Sequence, residues 1–220
     1  MKSKVLILLG LLFFSLTLYS QQGQFSTELV AGPVFYKFDN TSYQTISQKF
    51  NYSFGLNFKR NIIFKQNIFS LKTGYIVDTK NYDLTTSDTI SWYIKNINYS
   101  FLYGSIPFFL EYSYRLKEHF YPFVSFGITF GHLLKGNWQI TRNDGRREDN
   151  SQDSDNNTNP KDIYFSLGLN YRLDKRFYLR FEPFLTYQIT DTNLSLDYYG
   201  MLAYGFKLGV QFDFIFQKEK

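Results

Sequence analysis

Apolar and polar side chains alternate along much of the chain, most clearly in its last segment. From Leu202 to Phe216 every second residue is apolar, and the residues between them include Gly205, Lys207 and Asp213. A helix of this sequence would be apolar on all sides, whereas a strand places the two sets on opposite faces. The pattern therefore predicts a β-strand.

The same alternation recurs upstream in seven further segments. It is weaker in the first and third of them, and the phase of the first is not fixed by the sequence. With the last segment these make eight strands, so an all-β chain is expected. The eight predicted strands are 25–38, 50–58, 68–80, 102–114, 120–130, 163–173, 177–189 and 202–216.

The connections between these strands alternate in length. The second, fourth and sixth are short, and the others are longer and polar. Outer-membrane barrels alternate short periplasmic turns with longer external loops, so this order fits eight strands with both termini periplasmic. The predicted connections are 38–48, 60–67, 80–97, 116–119, 134–161, 173–176 and 190–199.

Side-chain volume indicates which face of such a barrel points outward. A soluble lipocalin-like barrel has the same period but an apolar interior. An eight-stranded barrel has little interior room, and here the apolar set is mainly Phe, Leu and Tyr, while the alternate set is rich in Gly, Ala, Ser and Asn. The bulky set must face lipid. The expected fold is an eight-stranded antiparallel up-and-down transmembrane β-barrel.

Composition agrees with this expectation and excludes several functions. Aromatic residues make up 21% of the chain, yet its mean hydropathy is negative. The absence of cysteine rules out disulfides and thiol nucleophiles. The small excess of basic residues is dispersed, so no nucleic-acid partner is expected.

The N-terminus has the three-part form of a secretory signal peptide. Lys2 and Lys4 precede the apolar segment 5–18, and Ser20 is a small residue suited to cleavage. The apolar segment is shorter than the roughly 20 residues of a spanning helix, which disfavours the alternative of an uncleaved anchor. We therefore expect a signal peptide at 1–20, a barrel domain at 21–220, and residence in the outer membrane of a Gram-negative bacterium.

Charged residues at alternate positions are expected inside the barrel. The short turn at 173–176 places Asn170 opposite Arg180 and Gly168 opposite Glu182, with Glu182 as the nearest counter-charge of Arg180. Because both signs occur, we expect a paired polar filling of the lumen rather than a channel, which needs more strands. The predicted lumen network is Lys72, Glu111, Arg115, Arg172, Arg180, Glu182, Lys207 and Asp213, with Lys59 also facing inward.

Two central strands resemble a known family. Ile106, Pro107 and Tyr112 in one strand, followed by Pro122 and Gly127 in the next, are similar to the outer-membrane β-barrel domain family that includes the PorT-like proteins of Bacteroidetes. The resemblance implies an outer-membrane barrel and, through PorT, an accessory role in envelope secretion. It implies no reaction.

The last strand also resembles the assembly signal of outer-membrane barrels. Lys207, Gly209, Phe212 and Phe214 supply a polar residue, a glycine and two aromatic residues at the spacing of that signal. The resemblance implies recognition by the barrel-assembly machinery and insertion into outer-membrane lipid. The chain departs from it by continuing to Lys220.

Candidate chemistry is sparse. His132 could act as a base, as in lipid-modifying palmitoyltransferase barrels, but the expected partners and N-terminal helix are missing, and His119 lies in a short turn. Segment 153–159 has oxygen ligands at alternate positions but lacks the glycine and glutamate of a calcium loop. We expect no catalysis, cofactor or metal. The favoured function is structural or interactive, with an unidentified envelope partner; a narrow pore and a lipid-modifying enzyme are the alternatives.

Overall fold

The computed structural model describes residues 24–37, 44–86, 94–153, 160–189 and 201–214, and the predicted signal peptide lies outside them. Among the described residues there is no helix long and apolar enough to span a membrane. These residues form ten strands: β1 (Gln24–Lys37), β2 (Gln44–Gln48), β3 (Asn51–Phe64), β4 (Asn67–Thr86), β5 (Ile94–Tyr114), β6 (Phe120–Arg142), β7 (Arg147–Asp153), β8 (Lys161–Arg172), β9 (Phe177–Gln188) and β10 (Leu202–Phe214).

Eight of these strands form a closed antiparallel barrel. Following the ring, β1 pairs with β3, then come β4, β5, β6, β8, β9 and β10, and β10 pairs back with β1. Every neighbour in the ring is also the next long strand along the chain, which confirms the predicted eight-stranded up-and-down barrel. Closure leaves no unpaired edge within the ring, as a hydrocarbon environment requires.

The ladders of the barrel are uneven. Pairing is interrupted between β1 and β10 at Gly32 and Pro33, where proline has no amide hydrogen to donate. A Cβ atom on Gly32 would lie 1.8 Å from the carbonyl oxygen of Phe206. Only glycine allows the two backbones to approach this closely.

The two faces of the barrel differ as the sequence predicts. Large apolar side chains are exposed at alternate positions around the ring, for example Phe54 on β3, Leu110 on β5 and Leu208 on β10. The residues between them point inward and are buried, and many are polar or charged. This arrangement gives the barrel an apolar outer belt and a polar lumen.

One end of the barrel carries short turns. Gln24 and Phe214 also lie there, next to the ends of β3 and β9. The turn between β3 and β4 is tighter than the predicted connection at 60–67. Phe64 pairs with Asn67, so only two residues connect the strands, and Lys65 adopts a left-handed conformation with φ 57°.

The other end extends beyond the barrel as a projecting sheet. We define this sheet as β2, residues 80–86 of β4, 94–101 of β5, 136–142 of β6, and β7. Its strand order is β2-β4-β5-β6-β7. The predictions of loops at 80–97 and 134–161 are therefore wrong for most of these residues. Both segments continue strands of the barrel.

The projecting sheet reverses the polarity of the barrel wall. Its inner face carries Tyr82, Leu84 and Phe101, which are buried, and the rings of Tyr82 and Tyr99 stack with centroids 4.9 Å apart. Its outer face is polar. The inner face therefore changes from charged to aromatic, and the outer face from apolar to polar, where the strands leave the belt.

Candidate functional site

Six charged side chains meet in the middle of the lumen. Glu28, Lys59, Lys72 and Glu111 come from four neighbouring strands, and Arg180 and Glu182 come from β9 on the opposite wall. All six occupy inward positions of the strand alternation, and each side chain is at most 3% exposed. We call this group, Glu28, Lys59, Lys72, Glu111, Arg180 and Glu182, the central ion cluster.

Arg180 contacts all three carboxylates of the cluster. Its Nη1 lies 3.2 Å from Glu28 Oε1, its Nη2 lies 2.7 Å from Glu111 Oε2, and its Nε lies 2.8 Å from Glu182 Oε2. The flat guanidinium carries five donors in a fixed fork, which suits it to several acceptors in one plane. The guanidinium also lies over the ring of Phe123, with its central carbon 3.6 Å from the ring centroid. The arginine is therefore the organising residue of the cluster.

Two lysines neutralise the remaining charge. Lys59 Nζ lies 2.8 Å from Glu28 Oε1 and 2.7 Å from Glu111 Oε1. Lys72 Nζ lies 3.2 Å from Glu28 Oε2 and 3.7 Å from Glu182 Oε2. Three carboxylates thus face three cations, so the cluster is formally neutral. Such balance is what a buried ionic network needs, because an unpaired buried charge is costly.

Neutral side chains add hydrogen bonds to the cluster. The hydroxyls of Tyr164 and Ser166 donate to Glu182 Oε1 at 3.0 and 2.8 Å. Asn170 Oδ1 accepts a hydrogen bond from Arg180 Nη1 at 3.2 Å. The predicted pairing of Asn170 with Arg180 across β8 and β9 is confirmed.

The cluster separates two small cavities of the lumen. The cavity on the side of the projecting sheet has a volume of about 40 Å³ and is lined by Asp78, Lys80 and Asp162 among others. The cavity on the side of the short turns has about 30 Å³ and is lined by Asn61 and Asp213 among others. Each volume suits one or a few water molecules. The arrangement can hold water on both sides, but side chains fill the space between.

Six of the eight predicted lumen residues lie inside the barrel. Lys72, Glu111, Arg180 and Glu182 belong to the central ion cluster. The other two lie on either side of it: Lys207 Nζ sits over the ring of Phe184, 4.6 Å from its centroid, while Asp213 Oδ1 accepts hydrogen bonds from Ser26 and Gln211, both at 2.7 Å.

Arg115 and Arg172 are corrections to the predicted network. Arg115 follows the end of β5 and is exposed. Arg172 is the last residue of β8, is half-buried, and its Nε donates to the carbonyl oxygen of Asp174. The alternation continues through both residues in the sequence, but Arg115 lies just beyond the end of β5 and Arg172 lies at the last position of β8, beside the short turn. Both therefore lie outside the lumen network.

The prediction missed Glu28 and simplified the partners of Arg180. Glu28 was missed because the phase of the first strand could not be fixed from the sequence. Glu182 is one of three carboxylates on Arg180, and Glu111 is marginally nearer. Removing Glu182 would therefore still leave Arg180 with two counter-charges, Glu28 and Glu111. The expectation that Glu182 is the nearest counter-charge of Arg180 is wrong.

The histidines and the acidic segment form no site among the described residues. His132 Nε2 lies 3.1 Å from the hydroxyl of Tyr75 on the outer face. His119 Nδ1 lies 2.9 Å from the carbonyl oxygen of Arg172. No group of three or more His, Asp or Glu side chains in the described ranges is arranged to hold a metal ion. Residues 154–159 of the acidic segment lie outside those ranges.

The residues of the predicted assembly signal occupy different environments on β10. Lys207 points into the lumen, and a Cβ on Gly209 would lie 2.5 Å from the carbonyl oxygen of Leu29. The rings of Phe212 and Phe214 meet edge to face at 4.8 Å, and Phe214 is exposed. Residues 215–220 lie outside the described part of the chain.

Comparison with known proteins finds similarity among solved structures alone. No protein-family model matches the sequence, and a search of curated proteins found no match. The PorT-like resemblance therefore stays a prediction.

Outer-membrane β-barrel proteins are among the matching structures. Ail of Yersinia pestis, solved with the heparin analogue sucrose octasulfate, is 15% identical over 88% of this chain and 100% of its own, with a TM-score of 0.47. Neisserial surface protein A is 11% identical over 86% and 97%, with a TM-score of 0.48. OprG of Pseudomonas aeruginosa is 10% identical over 89% and 97%, with a TM-score of 0.45. The strand pairing and the lumen described above define this chain as an eight-stranded barrel with an apolar belt and a filled interior.

Proposed function

We propose that this chain is a non-catalytic outer-membrane β-barrel of a Gram-negative bacterium, with a structural or interactive role. In this proposal segment 1–20 is removed as a signal peptide, both termini and the short turns are periplasmic, and the projecting sheet faces the outside. The barrel serves as a rigid membrane anchor that holds the projecting sheet above the lipid.

The observation that carries the proposal is the combination of an apolar belt with a closed lumen. Exposed Phe, Leu, Ile and Tyr side chains surround the ring, and a contiguous apolar surface of this kind is tolerated in lipid rather than in water. Inside, the central ion cluster fills the cross-section with paired charges. This supports an anchor over a channel, which is the alternative function.

The membrane arrangement is testable because the chain contains no cysteine. Single variants Asn143→Cys, at the tip of the β6–β7 hairpin, and Lys175→Cys, in a short turn, provide two matched reporters. We expect a membrane-impermeant maleimide to label Asn143→Cys on intact cells, and Lys175→Cys only after the outer membrane is permeabilised. The reverse pattern, or recovery of the protein outside the outer membrane, would refute the proposed arrangement.

The closed lumen is testable by conductance. Purified wild-type protein in planar bilayers should show no steady ionic current. A known porin reconstituted in the same lipid serves as the positive control. Stable conductance of the wild type would favour the narrow pore and overturn the anchor.

We further propose two partners for this anchor. The terminal residues Lys207, Gly209, Phe212 and Phe214 would be recognised by the barrel-assembly machinery during insertion. The resemblance of β5 and β6 to PorT-like proteins supports an accessory role in envelope secretion, with the partner itself unidentified. Co-purification of secretion components with the full-length protein from native membranes would test that role.

A further inference from the structure

The outer face of the projecting sheet carries polar side chains in rows that run across its strands. In one row Asp83, Asn98, Gln139 and Asp149 are successive cross-strand partners on β4, β5, β6 and β7. In the next row the partners are Asn81, Ser100, Asn137 and Ser151. Strand alternation puts both rows on the same face.

The members of these rows on β5, β6 and β7 line an open groove. Its volume is about 400 Å³, within the range of about 300–1,000 Å³ that small-molecule sites occupy. Six of its lining residues carry an amide, a hydroxyl or a carboxylate on the outer face, and the other two, Trp138 and Asn150, occupy positions that the register assigns to the inner face. The six are Asn98, Ser100, Asn137, Gln139, Asp149 and Ser151.

The polar groups of the groove are held in place by the sheet and by one another. Gln139 Nε2 donates to Asp149 Oδ1 at 2.7 Å, and Ser100 Oγ donates to Asn81 Oδ1 at 2.7 Å. An amide is at once a donor and an acceptor, so Asn98, Asn137 and Gln139 each offer both functions. Residues on paired strands need little reordering to bind, which lowers the entropic cost of association.

We propose that this groove binds a neutral oligosaccharide. Displacing water from so many amides and hydroxyls is unfavourable unless the ligand returns hydrogen bonds to them. A sugar chain presents hydroxyls, each a donor and an acceptor, along its whole length. The proposal rests on the proposed function, because the external position of the projecting sheet would expose the groove to glycans outside the cell.

Other ligand classes fit the groove less well. The carboxylate of Asp149 is exposed within it, and a negative charge there repels an anionic or sulfated chain. A protein-binding surface is expected to carry Tyr, Trp, Met and Arg side chains, because these are enriched in the cores of protein interfaces. None of the six outward-facing lining residues belongs to these types.

The test measures sugar binding by full-length protein in lipid nanodiscs. Maltohexaose, cellohexaose and chitohexaose are the neutral probes, a heparin-derived hexasaccharide is the anionic probe, and binding is followed by isothermal titration calorimetry. The test variant is Asn98→Ala/Gln139→Ala, which removes two neighbouring amides from adjacent strands. Thr85→Ala, on the same face but outside the groove, is the matched control.

We expect saturable binding of at least one neutral probe, weakened at least tenfold in the double variant and unchanged in Thr85→Ala. Equal heat-modifiability of all variants on gels would show that the barrel is intact. The inference is overturned if no neutral probe binds at millimolar concentration, if only the anionic probe binds, or if the double variant binds like wild type. Cysteine labelling tests the proposed function separately, so either proposal can fail alone.

Discussion

Replacing Arg180 with methionine is the sharpest test of the central ion cluster. The variant keeps an unbranched apolar stem but removes the guanidinium, with its charge and its hydrogen-bond donors. In the wild type the guanidinium lies within 3.2 Å of Glu28, Glu111 and Glu182. After the substitution these three carboxylates face only Lys59 and Lys72, and the buried cluster carries a formal charge of −1.

The expected loss of stability is large. Removing one partner of a buried ion pair costs about 3–5 kcal/mol, because the other charge stays buried and uncompensated. Folded proteins are stable by only about 5–15 kcal/mol, so this loss is a substantial fraction of the total. A second substitution should recover part of it: Arg180→Met/Glu111→Gln leaves two carboxylates and two lysines. Coupling between contacting residues is typically about 0.5–3 kcal/mol, which sets the size of the rescue.

Urea unfolding in lipid vesicles, followed by tryptophan fluorescence, measures both effects. Unfolding midpoints are compared for wild type, Arg180→Met and the double variant, with Thr85→Ala as a control outside the lumen. Should Arg180→Met fail to insert, the double variant alone still tests the charge argument, because it should insert and refold. A loss below about 1 kcal/mol for the single variant, or a double variant less stable than the single one, would refute the reasoning.

Three further outcomes are expected. Phe212→Asp/Phe214→Asp should impair insertion, since charge on the lipid face of a barrel is unfavourable, by about 2–4 kcal/mol for a cation at mid-depth and by less for Asp. The corresponding double Leu variant should insert normally; pulse-chase fractionation measures this, and equal insertion would contradict it. Gly168→Ala should lower the urea midpoint more than Gly55→Ala, because the new Cβ would lie 2.3 Å from a backbone oxygen rather than 3.2 Å from movable side chains. Lys65→Gly should raise the urea midpoint slightly, because glycine adopts the left-handed conformation of Lys65 without the cost of about 1–2 kcal/mol that other residues have there. A lower midpoint would contradict this prediction.

The barrel could be predicted from the sequence because one physical pattern determines most of it. Lipid outside and a narrow lumen inside force large apolar and small or polar residues to alternate, and β10 shows this alternation without interruption. The same alternation predicted that Arg180 and Glu182 face inward. The short turn at 173–176 predicted that Asn170 pairs with Arg180. Where the wall contacts lipid, the sequence therefore contained both the strands and their orientation.

The projecting sheet and the details of the lumen network were not predicted, because the lipid-facing pattern of the wall does not determine them. At 80–86 and 136–142 the strands continue beyond the apolar belt, and their apolar residues move to the inner face. A prediction that expects apolar residues on the outer face therefore takes these segments for loops. Arg115 and Arg172 keep the inward phase of the sequence alternation but lie at the short-turn rim, Arg115 beyond the end of β5 and Arg172 at the last position of β8. The contacts of Arg180 with Glu28 and Glu111 could not be predicted, because these residues on β1 and β5 meet β9 only when the ring closes.

The reversal of polarity along β4, β5 and β6 fixes the depth at which the barrel sits. A strand advances about 3.3 Å per residue, so sinking by two residues would carry the level of Asn81 and Ser100 into hydrocarbon. Rising by the same distance would lift the apolar belt into water. Both displacements raise the free energy of the inserted barrel. The sharp boundary between polar and apolar outward residues on these strands therefore sets the depth of the barrel in the bilayer. Bilayers of different thickness should then keep their surface at the rim beside the projecting sheet, and the difference in thickness should be taken up chiefly at the short-turn end.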